Sequence, residues 1–201
     1  MKLRHLLLPV LFMLSVTASA QRFQGGILVG MNASQIDGDT WVGFFKGGIL
    51  AGAFVNTDLQ DKFGAQLEIK YSPKGSAPGS KHPNYPAKIR LNYIDVPIMG
   101  TYEAAKNLKL EGGLSFNYLY KAQYFDGAWF EWDEGEGPNS FETAILFGIN
   151  YRFFQRFDLN LRWNYSLFPV RATYSGSPYS EGAWYNQVIN FGLYFHIGPN
   201  S

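Results

Sequence analysis

The chain has 201 residues, of which 16% are charged and 17% aromatic, with a formal net charge of +1. Soluble proteins carry roughly 25% charged residues, so water-facing surface is scarce here, and the balanced charge gives no basic surface for a nucleic-acid partner. The absence of cysteine excludes a disulfide staple and a lipoprotein anchor, leaving hydrogen bonding and burial to hold the fold.

Lys2, Arg4 and His5 precede an apolar run over residues 6–16, which ends before Ala18-Ser19-Ala20. That order is a secretory signal peptide, expected over residues 1–20 with Gln21 as the mature start. The run is about half the ~20 residues a spanning helix needs. Residues 21–201 show no linker or repeat and read as one domain. They contain no apolar stretch of helical spanning length, so any membrane crossing must be made by strands.

In chain order, the first strand is expected over 26–34 and the second over 44–55, with a polar loop containing Asp37-Gly38-Asp39 between them. The third, 63–72, alternates Phe63, Ala65, Leu67, Ile69 and Tyr71 against Gly64, Gln66, Glu68, Lys70 and Ser72, a period of two that no helix presents. A Pro/Gly/Ser-rich loop over 73–87 follows, where prolines 73, 78, 83 and 86 forbid a central strand. The fourth strand, 89–102, contains Pro97, which cannot donate to a ladder and points to a bulge. After a short turn at 103–106 the fifth runs over 107–122, followed by a long acidic loop over 123–140. Residues 141–168 read as a hairpin of two long strands with a turn at 154–156; a fourth long loop at 170–185 and an eighth strand at 187–197 complete the chain. Long connections follow odd strands and short ones follow even strands, so all long loops share one rim. The expectation is an all-β fold, an eight-stranded antiparallel up-and-down transmembrane β-barrel over residues 21–201.

Alternation alone does not say which face is outside, because a soluble, periplasmic lipocalin-like barrel carrying a lipid or apolar ligand gives the same period. Three features favour lipid outside. The polar face is rich in Gly, Ser and Asn, which suit a narrow interior; aromatics crowd the strand ends as an interfacial girdle; and Asn190, Gly192, Phe195 and Ile197 are spaced like an outer-membrane assembly signal. An eight-stranded barrel is just wide enough inside for side chains, so a plugged lumen is expected. Glu68, Lys70, Asp95, Lys109, Glu111, Arg152, Asp158 and Arg162 would supply charges of both signs, with Arg152 paired to Asp158 across the 154–156 turn. The expected surroundings are outer-membrane lipid, lipopolysaccharide and the outer-membrane assembly machinery.

Particular runs resemble a known family: Gly26, Gly30, Asn32 and Ser34; Glu68-Ile69-Lys70-Tyr71-Ser72 with Lys74-Gly75; Leu91-Asn92-Tyr93-Ile94-Asp95-Val96-Pro97; and Gly112-Gly113 with Tyr118-Leu119. Through them residues 21–201 resemble the PorT-like outer-membrane β-barrel family of Bacteroidetes, which often has Glu at the position of Asp95. The resemblance implies the barrel and an outer-membrane location in a Gram-negative envelope. Some relatives are associated with type IX secretion and gliding, which implies, by analogy, a secretion or surface protein partner.

The long loop at 123–140 gathers Asp126, Glu131, Asp133, Glu134 and Glu136 among Trp129, Phe130 and Trp132, and the loop at 73–87 and its flank carry Lys74, Lys81, His82, Lys88 and Arg90. The acidic loop is expected to be solvated with its aromatics dipping into the interface; meeting the basic loop, or binding Ca²⁺, is the alternative, and its acids lack calcium-loop spacing. Catalysis is not expected, nor a cofactor or metal. Beyond the signal peptide the histidines are His82, near Ser76 and Ser80, and His196 at the opposite end, and the sequence places no acid to orient either.

Overall fold

The computed structural model describes residues 23–79, 88–132, 137–173 and 180–197. The expected signal peptide and the residues Ser80, Lys81, His82, Asp133, Glu134 and Glu136 lie outside them. The strands are β1 (Phe23–Asp39), β2 (Lys46–Gln60), β3 (Phe63–Ser76), β4 (Lys88–Ala105), β5 (Leu108–Asp126), β6 (Ala128–Glu131), β7 (Phe141–Phe154), β8 (Phe157–Ser166) and β9 (Ser180–Ile197). Their order is β4-β3-β2-β1-β9-β8-β7-β5, with β4 also pairing β5, so eight antiparallel strands close into a barrel; β6 is a short addition to the end of β5. Closure removes the edges whose unpaired amides and carbonyls lipid would not tolerate. The first and last strands meet in a long seam from Gly25↔Ile197 to Asp37↔Tyr185.

Alternation fixes the faces. Along β8, Asp158, Asn160, Arg162, Asn164 and Ser166 are buried, while Leu161 between them is exposed. Ile27, Val29, Met31, Ile49, Ile69, Phe116, Phe147 and Phe191 are likewise exposed, forming an apolar belt outside a polar interior. A carrier would need the reverse. A one-residue slip of any strand would exchange its faces, so this pattern also fixes the register.

The structure departs from the sequence expectations at the strand ends. β3 does not stop at Ser72 but continues through Pro73 to Ser76, paired to β4 through Ser76↔Ile89. Its pairing with β2 ends at Ala51↔Tyr71, so beyond that rung it has one neighbour only and Pro73 is tolerated as on an edge. Residues Ser72 to Ala77 are all buried, because this part of β3 leaves the wall and passes inside β2. A Cβ on Gly48 of β2 would lie 2.7 Å from Pro73 Cγ. From β1, Asn32 Nδ2 donates to the Pro73 carbonyl (3.1 Å) and Ser34 Oγ to the Gly75 carbonyl (3.0 Å). Gly75 has φ of 135°, a conformation a side chain would disfavour.

Pro97 makes no bulge. The β3–β4 register is the same on both sides of it, and only the rungs between Leu67↔Ile98 and Lys70↔Asp95 are missing, as expected where one N–H is absent. The β4–β5 ladder shifts elsewhere, beside Asn92 and Tyr93, where the extra residue is Tyr120 of β5, and between Glu103 and Ala105 at the end of β4. The β7–β8 turn is Gln155-Arg156, tighter than 154–156, with Phe154 paired to Phe157 beyond a bulge. The span 123–140 is not all loop, since β5 runs on to Asp126, turns at Gly127 and returns as β6.

The belt predicts a depth-dependent tolerance of charge. Leu161→Arg, midway along β8, should destabilise the barrel by roughly 2–4 kcal/mol and Phe168→Arg, just past its end, by about 0–1 kcal/mol, read from urea unfolding in phospholipid vesicles.

Candidate functional site

The interior is built in layers. At its centre Arg162 of β8 is 1% exposed and reaches β3, β5 and, through Met99 Sδ, β4. Its guanidinium forms a fork on Glu68 of β3 (2.9 and 3.0 Å) and donates to Glu111 of β5 (2.8 Å). Glu68 also accepts from the Tyr194 hydroxyl of β9 (2.8 Å), Gln66 Nε2 (2.8 Å) and Lys70 Nζ (3.2 Å). Asn160 Nδ2 completes Glu111 at 2.8 Å. Two carboxylates thus balance two cations, Arg162 and Lys70, with most lone pairs filled, the condition under which buried charge is tolerable.

Toward the long-loop end, Lys74 Nζ lies 2.8 Å from Glu142 Oε2 and 3.1 Å from Asp95 Oδ1, over the Tyr93 ring at 4.5 Å. Glu142 accepts further from Ser166 Oγ (2.6 Å), Asn117 Nδ2 (2.8 Å) and Asn186 Nδ2 (3.0 Å). Lys74, expected in a basic loop, is therefore an interior residue, carried in by the inward turn of β3. Sequence reasoning also missed Glu142, although it shares the face of Ala144 and Leu146 on its strand; the same alternation, run through Pro73, would have placed Lys74 beside Lys70 and Ser72.

Above this layer the interior turns apolar. Ile36, Trp41, Ile89, Leu91, Tyr93, Leu119, Val170 and Trp184 form one buried cluster, most of it from strand ends and loops. Arg171 lies over the Trp184 ring at 4.7 Å, and Val170 N donates to the Trp184 carbonyl (2.8 Å), tying the loop after β8 to β9.

At the short-turn mouth, Arg152 and Asp158 are cross-strand partners and form a salt bridge, with Nε to Oδ1 at 2.7 Å. Arg152 and Lys109 are only partly buried, with side chains 33% and 34% exposed, so they line the mouth rather than the centre. The expectation that no acid orients His196 fails: its Nε2 lies 2.8 Å from Asp158 Oδ2 and 2.9 Å from Arg152 Nη2. Antiparallel pairing of β8 and β9 brings Asp158 and His196 together across 38 positions of sequence. An open polar cleft of about 250 Å³, lined by Asp58, Lys62, Thr101, Glu103, Lys109 and Arg152 among others, occupies this end.

Of the proposed assembly signal, Asn190 and Gly192 face inward, while Ile197 is 59% exposed on the belt. Asn190 donates to Asn32 Oδ1 across the seam (2.6 Å) and accepts from Asn164 (2.7 Å), so it links β1, β9 and β8. In the long loop, Asp126 ends β5 at the turn of the β5–β6 hairpin, and Trp132 lies against Tyr124, ring centroids 5.2 Å apart. Glu131 pairs with Lys121 at 3.3 Å, both exposed, a contact of little energetic weight. Among the described residues, Arg90 of the basic stretch lies over the Trp129 ring of the hairpin at 4.1 Å.

The sequence profile of the outer membrane protein beta-barrel domain family matches residues 8–171. The chain belongs to this family. No curated protein sequence matches it. Among solved structures, the attachment invasion locus protein Ail of Yersinia pestis, determined with the heparin analogue sucrose octasulfate, is 12% identical with a TM-score of 0.55, over 88% of this chain and 99% of Ail. Neisserial surface protein A is 11% identical with a TM-score of 0.51, over 88% and 99%. These likenesses show the fold. With the family and the outward apolar belt they make this an outer-membrane barrel protein, and a soluble carrier with an apolar interior is not favoured.

The central ion cluster carries a stability prediction. Arg162→Met leaves Glu111 buried without a cation and Glu68 with Lys70 alone, and should cost about 3–5 kcal/mol. Combining it with Glu111→Gln, which leaves the buried Glu68–Lys70 pair intact, should recover most of that loss in the same urea-unfolding assay, followed by tryptophan fluorescence.

Proposed function

We propose that this protein is a non-conducting outer-membrane barrel that acts through the surface at its long-loop end, in a structural or interaction role. One observation carries the reading: the interior is occupied from Arg162 upward by ion-paired side chains and then by the apolar cluster around Trp41 and Trp184. A solute path would have to break buried salt bridges and then cross an apolar layer. In this reading residues 1–20 are the signal peptide that sends the chain to the periplasm for assembly, and the long loops face the cell exterior.

The PorT-like runs, above all Tyr93-Ile94-Asp95-Val96-Pro97, favour a secretion or surface protein as the partner, and lipopolysaccharide as the surrounding lipid. In this structure Tyr93 and Asp95 belong to the layer around Lys74, so that motif serves the interior and the partner surface falls to the loops. We assign no catalysis, cofactor or metal. His196 and Asp158 are engaged with Arg152, and Nε2, the nitrogen a general base would use, already lies in that network.

Two measurements test the reading. Reconstituted protein in planar bilayers should give no channel of porin size; stable porin-like conductance would refute the closed lumen. In intact cells a membrane-impermeant maleimide should label Ala128→Cys, on the β5–β6 hairpin, and not Ala105→Cys, at the end of β4. The reverse pattern would invert the orientation.

A further inference from the structure

We propose that the rim notch between β2 and β4 binds the phosphorylated headgroup of an outer-leaflet glycolipid through Lys46, Lys88 and Arg90. The proposal rests on the outward orientation of the long loops argued above.

The notch follows from the path of β3. The β1–β2 ladder continues to Ser34↔Lys46, but the β2–β3 ladder stops at Ala51↔Tyr71, while β3 stays with β4 to Ser76↔Ile89. With the end of β3 drawn inside, the starts of β2 and β4 become the two sides of a break in the outer wall. Both starts are basic. Lys46 opens β2, Lys88 and Arg90 open β4, and the charges of Arg90 and Lys88 bear on Lys46.

Three cations in mutual reach repel, and an ordinary rim would place a carboxylate among them. None of the three forms an ion pair among the described residues; Lys46 Nζ donates to the Gly47 carbonyl at 2.8 Å. The intervening sequence at 80–87 contains no Asp or Glu that could serve as counter-charge. Arg90 is held with its guanidinium over the Trp129 ring at 4.1 Å, which orients its fork without itself supplying a counter-charge.

What lies below the cations selects a lipid over a free anion. Tyr71 and Tyr120 stand together on the outer face, ring centroids 6.3 Å apart, and the Tyr71 hydroxyl donates to Asn92 Oδ1 at 3.1 Å. Ile49 and Ile69 beneath them are exposed on the apolar belt. Tyrosines at that position mark the headgroup level of a membrane. A phosphate at the notch would therefore have its acyl chains lying on the isoleucines and its charge among Lys46, Lys88 and Arg90, which offer the donors that phosphate oxygens take.

The test uses the full-length mature protein in phosphatidylcholine nanodiscs, probed with diphosphorylated lipid A, dephosphorylated lipid A and inorganic pyrophosphate, with bound lipid counted by native mass spectrometry. Wild-type protein should retain diphosphorylated lipid A, and the variant Lys46→Gln/Lys88→Gln/Arg90→Gln should bind it at least ~10-fold more weakly. Equal retention of dephosphorylated lipid A, or unchanged binding by the variant, would overturn the site, and full competition by pyrophosphate would overturn its assignment to a lipid. Heat-modifiable gel mobility reports whether each barrel is folded, and Arg90→Gln alone supplies a second arm if the triple variant is not. Because the assay uses reconstituted protein, it reads the site independently of the labelling in cells, so failure of either leaves the other interpretable.

Discussion

An eight-stranded barrel has an interior little wider than the side chains that point into it, and in this chain the side chain at the centre is an arginine. A guanidinium there has no bulk water to stabilise it, so its charge must be met by the wall. Arg162 is met by Glu68 from β3 and Glu111 from β5, and Glu68 is held in turn by Tyr194 from β9. Four strands are thereby committed to one set of registers, since sliding any of them by a residue would send its member of the cluster to the lipid face. The seam obeys the same constraint at lower cost, where neutral Asn32, Asn190 and Asn164 hydrogen-bond across β1, β9 and β8.

From that centre the two ends of the barrel diverge. Toward the short turns the polar lining loosens into a cleft where Arg152 and Lys109 are partly hydrated and His196 joins Asp158. Toward the long loops the lining tightens through Lys74 and Glu142 and then becomes hydrocarbon and indole. Apolar side chains inside a membrane barrel gain nothing by facing lipid rather than one another. Their burial here comes from excluding water at the end nearest solvent, which is also where loops from β1, β8 and β9 converge.

The part of this arrangement legible in the sequence is the part governed by period two. Leu159, Leu161, Trp163 and Tyr165 against Asp158, Asn160, Arg162 and Asn164 specify a strand and its two faces without ambiguity, and the lumen set from Glu68 to Arg162 follows from the same pattern. What was not legible lies where a strand stops obeying its neighbours. Pro73 correctly excluded a strand paired on both sides, yet it did not exclude β3 from continuing with β4 alone, so Lys74 was left outside the barrel. His196 and Asp158 are distant in sequence and meet only through register. Trp41 and Trp184 sit in stretches of loop composition, where no periodicity distinguishes a side chain that dips into lipid from one that fills the barrel.

The inward path of β3 joins these features. Carrying Lys74 to Glu142 requires β3 to leave β2, and Gly48 and Gly75 give the space and the backbone conformation for it to do so. The same departure removes rungs from the outer wall beside Lys46 and Arg90. Drawing β3 inward therefore opens the rim: the Lys74–Glu142 contact inside and the break in the ladder beside Lys46 and Arg90 are consequences of one strand changing layers. Among the described residues, the open polar cleft and the cations Lys46, Lys88 and Arg90 lie at opposite ends of the barrel.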